Sequence, residues 1–144
     1  MIKYCKEQWM KNEGKLKEVL LHRKDLNYCS YETLVKLVVD YILNDEEQDE
    51  NWDSKNITVI DNGDYQGTEL YLIPRNTYQP AEYDYLMTYV GYGSCSGCDT
   101  LQSIQCDEDN IDDYMTLCRD LVFNMVKPYN NGWRNEDLFD EVKE

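Results

Sequence analysis

One histidine, three prolines and two phenylalanines stand in a chain of 144 residues, and these shortages narrow the field. His22 is the only imidazole that any catalytic triad would have. His-Glu-x-x-His, Gly-x-Ser-x-Gly and a Walker loop are all missing, which leaves no hydrolase or nucleotide-binding signature. No stretch approaches the roughly 18 uninterrupted apolar residues of a membrane span. Met1 to Met10 contain no apolar core of an export signal, so the expectation is a cytoplasmic protein in a reducing compartment. Basic residues are also scarce. Fourteen Lys and Arg face 29 Asp and Glu, a formal net charge of -15. That balance argues against direct nucleic-acid binding, which needs a basic surface to displace counterions from phosphates.

What is present points to a folded domain. Hydrophobic residues make up 42% of the chain and tyrosine occurs thirteen times, too much for a disordered tail. The length suits a single domain spanning residues 1 to 144. Charge is polarised along it: residues 1 to 26 carry a small basic excess, and the acids dominate everything after.

Residues 3 to 22 lack proline and place Tyr4, Trp9, Leu16, Val19 and Leu20 among lysines and glutamates, as one amphipathic helix with a possible break at Gly14. Ser30 is a good N-cap for a second helix to about Leu43 with a broad apolar face. The run from Asp45 to Asp53 is too acidic to pack and reads as an exposed loop. Ile57 to Ile60, Thr68 to Ile73 and Tyr83 to Tyr92 alternate as strands, the first two joined through Asn62-Gly63. Asn110 with Asp113 gives a capping signal for the clearest helix, from Ile111 to Val126, which stops before Pro128. A last short helix in the acidic tail, Asn135 to Glu144, is also expected. The fold expected is α+β: an antiparallel sheet of about three strands with flanking helices.

The segment from Gly91 to Gln102, with Cys95 and Cys98 at C-x-x-C spacing in a glycine-containing turn, is the pattern with the most chemical purpose. That spacing lets two thiolates share one Zn2+ ion, with Cys106 close enough in sequence to be a third ligand. Cys118, Cys29, Cys5 and His22 are possible fourths. Two other readings stay open. One is a redox dithiol, disfavoured because such a site opens a helix after an early strand of a βαβ unit. The other is a set of turn residues with no partner. Cys118 falls on the apolar stripe of its helix and reads as core. His22 reads as a helix-terminal or solvent-facing residue.

The acidic stretches 45 to 53, 107 to 113 and 136 to 144 are usually just solvated surface. Interleaved with Trp52, Tyr65, Tyr71, Tyr78, Tyr83, Tyr85 and Trp133, they instead offer negative charge and large amphipathic anchors to a protein partner with a basic surface.

Tyr92-Gly-Ser-Cys-Ser-Gly-Cys-Asp-Thr-Leu-Gln, in a short, acidic, tyrosine-rich chain, resembles small proteins of phages and mobile elements, among them the type II-A anti-CRISPR proteins. The resemblance implies a Cas9 partner in a bacterial host cell, blocked in DNA loading or activation without enzymatic activity. Those inhibitors share no common motif, so it assigns no site residue. The alternatives are the intracellular C-x-x-C dithiol protein and a phage regulator of another host protein.

Overall fold

The change from helical to alternating spacing and back is realised as an α+β structure in the computed structural model, which describes residues 1–48, 51–61, 63, 67–81, 84–93, 99–105, 110–130 and 133–134. The first helix, α1 (Ile2–His22), leads through a 3-10 turn (Leu26–Tyr28) to α2 (Tyr31–Val38), whose last turn continues as a π-helical segment (Val39–Leu43). Three strands follow, β1 (Thr58–Asp61), β2 (Gly67–Pro74) and β3 (Tyr85–Tyr92), then α3 (Thr100–Gln105), α4 (Ile111–Phe123) and a small hairpin, β4 (Tyr129–Asn130) with β5 (Trp133–Arg134). The main sheet is an antiparallel meander in the order β1-β2-β3. Its register sets Val59 opposite Tyr71 and Asp61 opposite Glu69.

Alternation along β2 and β3 sends Tyr71, Ile73, Leu86 and Thr88 to one face, where all four are fully buried. Leu34, Val35, Val38 and Ile42 of the second helix, Leu16 and Leu20 of α1, and Leu121 and Val122 of α4 complete one core. Thr88 donates its hydroxyl to the Leu121 carbonyl at 2.6 Å, tying α4 to the sheet.

Several local readings are corrected. The first helix runs unbroken through Gly14, because a single glycine costs only about 1 kcal/mol of helix propensity and the buried Trp9, Asn12, Leu16 and Leu20 pack the helix on both sides of it. The fourth helix ends at Phe123, three residues short of Val126, because the backbone of Val126 bridges to Met87 with hydrogen bonds of 2.8 and 2.9 Å. Asn110 makes no capping bond, and its amide instead donates to the Ile104 carbonyl at 3.0 Å. Ser30 does cap α2, accepting from the Thr33 amide at 3.3 Å. The tail from residue 135, where a last helix was expected, lies outside the described residues.

The end of the π-helical turn is capped from α1. Its carbonyls at Ile42 and Leu43 are taken by side chains of α1: Asn12 donates to Ile42 at 2.8 Å, Gln8 to Leu43 at 3.1 Å and Tyr4 to Leu43 at 3.3 Å. Buried amides of one helix thus satisfy the backbone groups that the wider turn of the other leaves over.

The acidic loop keeps Glu46 and Glu47 in solvent but packs at Asp45 and Trp52. Trp52 is only 5% exposed, covered by the Arg75 guanidinium 4.3 Å above its ring and fastened at both backbone groups by the Asn44 amide, at 2.7 and 2.8 Å. Asp45 accepts from Gln8 at 3.0 Å, Lys11 at 3.2 Å and the amides of Glu47 and Gln48 at 3.0 and 3.1 Å. Burial alone would raise the Asp45 carboxyl, but these bonds outweigh it and hold the group below its ordinary 3.8. A folded value below the unfolded one stabilises the chain above the unfolded value, and that contribution is lost as pH falls through the folded one. Thermal melts between pH 6 and pH 3 should therefore show a loss of stability that is shallower in Asp45→Asn. Equal slopes for the two proteins would remove Asp45 from the account.

Candidate functional site

The carboxylate of Asp99 is buried and fully engaged. It accepts the Tyr31 hydroxyl at 2.7 Å, the Gly93 amide at 2.8 Å and the Gln102 amide at 3.1 Å, while the Leu101 amide donates to the Tyr31 oxygen at 3.0 Å. Asp99 occupies the N-cap position of α3, and Asp-Thr-Leu-Gln is a capping pattern in the sequence. In this role it joins three elements, because Tyr31 opens α2 and Gly93 follows the last residue of β3. Gln102 closes the same junction from its side chain, donating to the Gly93 carbonyl at 2.9 Å. Burial, with Asp99 and the charge of Glu69 adding to it, pushes the Tyr31 hydroxyl well above the ordinary phenol value, which keeps it a donor.

Beside this junction opens a cleft of about 470 Å³ between the start of α2, the sheet and α3. Its walls include Glu32, Val59, Glu69, Tyr92, Asp99 and Gln102, with three carboxylates and no lysine or arginine. Glu69 is held by the hydroxyl of the buried Tyr71. That hydroxyl is raised by burial first and then by Glu69 and Glu32, so it too remains a donor. Tyr92 donates to Asp61 at 2.5 Å, fixing a fourth carboxylate at the rim. Among the described residues neither Glu32 nor Glu69 has an ion-pair partner. The arrangement favours a cation, because partly covered like charges with no internal counter-charge are relieved by one from outside.

No protein-family model, curated protein or solved structure matches the chain.

The expected zinc ligands, Cys95, Cys98 and Cys106, lie outside the described residues, and so do Tyr65 and Tyr83. The junctions on either side of the cysteine segments are described. Gly93 and Asp99 are hydrogen-bonded to each other across residues 94–98. Ile104 and Asn110 are bonded across residues 106–109. Both segments thus leave from the two ends of α3. Four groups were open as a fourth ligand. Cys5 is buried in α1 with its sulfur 3.7 Å from that of Met1, and burial pushes its thiol up to about 11. His22 is exposed at the end of α1, its Nδ1 2.8 Å from the Glu18 carbonyl oxygen. Cys118 is core, as expected, its thiol pushed up to about 12 by burial. Cys29 is half-buried, and its carbonyl accepts from the side chain of Gln105, the residue before Cys106, at 3.0 Å. Of the four, Cys29 is the one whose backbone is fastened to α3. Among the described residues no three His, Cys, Asp or Glu side chains stand together as a metal site.

Two of the expected surface anchors are not on the surface: Trp52 lies beneath Arg75 and Tyr71 is fully buried under the sheet. Tyr78, by contrast, is 90% exposed. Glu32, Glu69 and Tyr31 were not singled out by sequence. Nothing local distinguishes Glu32 and Glu69 from the other acids of the chain, and only the strand register and the start of α2 bring them to one cleft. No helix among the described residues is long and apolar enough to cross a membrane.

Proposed function

We propose that the chain is a non-enzymatic binding protein that engages a partner with a basic surface through its carboxylate-lined cleft, and that this partner is a Cas9 nuclease, blocked in target DNA loading or in activation. Cys95, Cys98 and Cys106 hold a structural zinc ion in this reading. The observation that carries it is the cleft itself: Glu32, Glu69 and Asp99 around about 470 Å³ with no cationic side chain in the wall. The net charge of -15 works in the same direction, because a negative surface is drawn to a positive nucleic-acid channel and raises the on-rate. The choice of Cas9 rests on the resemblance carried by residues 92 to 102 in a short, acidic, tyrosine-rich chain.

Capture and cleavage assays with several Cas9 orthologues test it. The expected result is inhibition of at least one orthologue, with binding that is fast at low salt and weakens as salt screens the attraction. Order of addition then separates two modes. Protection by preloaded target DNA indicates a shared site, and inhibition regardless of order indicates a block on movement of the nuclease. Failure to bind any orthologue would end the Cas9 reading. Dithiol reductase activity lost in Cys95→Ser would replace the whole reading with the redox one.

A further inference from the structure

The sheet supplies a means of gripping a partner. β1 is an outer strand of the meander, paired with β2 along its inner side. Among the described residues no strand pairs with its other side. At β3, the opposite edge of the sheet, Val126 bridges to Met87. An open edge presents a row of unpaired backbone groups, and proteins usually blunt it with lysine, proline or a cover. β1, though short and ending in Asp61, contains neither lysine nor proline, and no strand among the described residues covers its outer side. All four residues are exposed, Val59 by 39% and Ile60 by 45%.

The edge is continuous with the acidic cleft. Val59 lines it, and by register Val59 lies beside Tyr71 and Asp61 beside Glu69 on the same face of the sheet. Any strand added outside β1 would carry this face one row further, about 4.8 Å away. A side chain opposite Asp61 would have the Asp61 carboxylate one row off and Glu69 two rows off, with Glu32 across the cleft. Asp61 is already oriented by the Tyr92 hydroxyl at 2.5 Å and the Gly63 amide at 3.0 Å. Only a cation completes that row, because like charges side by side across strands are destabilising and opposite ones stabilise. The alternate side chains, on the face of Ile60, meet an apolar neighbour instead.

We propose that the outer edge of β1 is a strand-addition site for an extended segment of a partner protein in which lysine or arginine alternates with apolar residues, the basic side chains pointing to Asp61, Glu69 and Glu32. This rests on the reading of the chain as a binder of a basic protein and names the form its ligand takes. Backbone hydrogen bonds supply affinity and the alternate side chains supply selection. A second copy of the chain is the poorer occupant, since pairing β1 with β1 brings together two chains of net charge -15.

The probe is a fluorescein-labelled Arg-Val-Arg-Val-Arg-Val amide, followed by anisotropy against the full chain. Saturable binding is expected, weakened at least tenfold by Glu32→Gln/Glu69→Gln and by Val59→Lys, and unchanged by Glu7→Gln/Glu13→Gln, which removes the same charge from α1. Circular dichroism confirms that each variant is folded, and the two separate ways of disabling the site guard against a variant that is not. Two analogues, N-methylated on one or the other alternate set of amides, decide the geometry. Loss with one set and retention with the other supports strand addition, while undiminished binding of both overturns it. Dimerisation that Val59→Lys abolishes would also overturn it, in favour of self-pairing. Nuclease capture run in parallel keeps the two readings apart. Capture unaffected by these variants, with no peptide bound, defeats the edge site and leaves the Cas9 reading standing. Peptide binding by a chain that captures no nuclease does the reverse.

Discussion

Asp99→Ala is expected to destabilise the chain by about 3–5 kcal/mol, the range found when one member of a buried charged network is removed. The magnitude follows from what is left behind. The Tyr31 hydroxyl and the amides of Gly93 and Gln102 all donate to this carboxylate, and alanine leaves these donors, most of them in buried surroundings, without an acceptor. Hydrogen bonds to a charged acceptor are also about twice as strong as neutral ones. Tyr31→Phe removes one donor to Asp99 and leaves one buried group, the Leu101 amide, without its acceptor, so its cost is expected to be smaller, about 1–3 kcal/mol. Urea unfolding monitored by tryptophan fluorescence measures both. At about 3 °C per kcal/mol for a domain of this size, Asp99→Ala should lower the melting temperature by roughly 10 °C. A change below about 1 kcal/mol in Asp99→Ala would mean that the junction of α2, β3 and α3 is held by the surrounding apolar packing, chiefly Leu101 and Ile104, and not by the carboxylate.

Part of this site was legible in the sequence. Alternation in β2 and β3, the N-cap at Ser30 and the helical recurrence from Ile111 are local signals that were realised as expected, whereas two others, the break at Gly14 and the cap at Asn110, were not. The larger failures have a different physics. Trp52 was read as exposed because its neighbours are acidic, but its burial depends on Arg75, 23 positions away along the chain. The carbonyls at the π-helical end of the second helix are taken by Gln8 and Asn12, 30 or more positions distant. At six residues, α3 is too short for periodicity to reveal, and the capping pattern Asp-Thr-Leu-Gln before it was not read as one. The cleft was the least accessible of all. Glu32 and Glu69 meet only because the hairpin register and the packing of α2 place them together, and in a chain with 29 acids no single one stands out.

Removing zinc with a chelator is expected to lower the melting temperature by about 10 °C, and Cys95→Ser/Cys98→Ser to reproduce that loss without chelator. The reasoning is linkage: a metal held at about a thousandfold above its dissociation constant contributes about 4 kcal/mol to the folded state, and for a chain of this size each kcal/mol moves the midpoint by about 3 °C. Closed junctions at both ends of α3 strengthen the expectation. Loops whose ends are already bonded, as Gly93 is to Asp99 and Ile104 to Asn110, have given up much of the entropy that ligand assembly would otherwise cost. Among the possible fourth ligands, Cys29→Ser is expected to weaken zinc retention, because its backbone is bonded to Gln105 next to Cys106. Cys5→Ser and His22→Gln should leave the metal in place, since one is enclosed against Met1 and the other faces solvent at the far end of α1. Elemental analysis of protein purified without added metal supplies the second readout, with about one zinc per chain expected. A metal-free protein whose stability is the same in Cys95→Ser/Cys98→Ser would remove the zinc site. It would leave the cleft, the Asp99 junction and the β1 edge untouched, because none of their hydrogen bonds passes through a cysteine side chain.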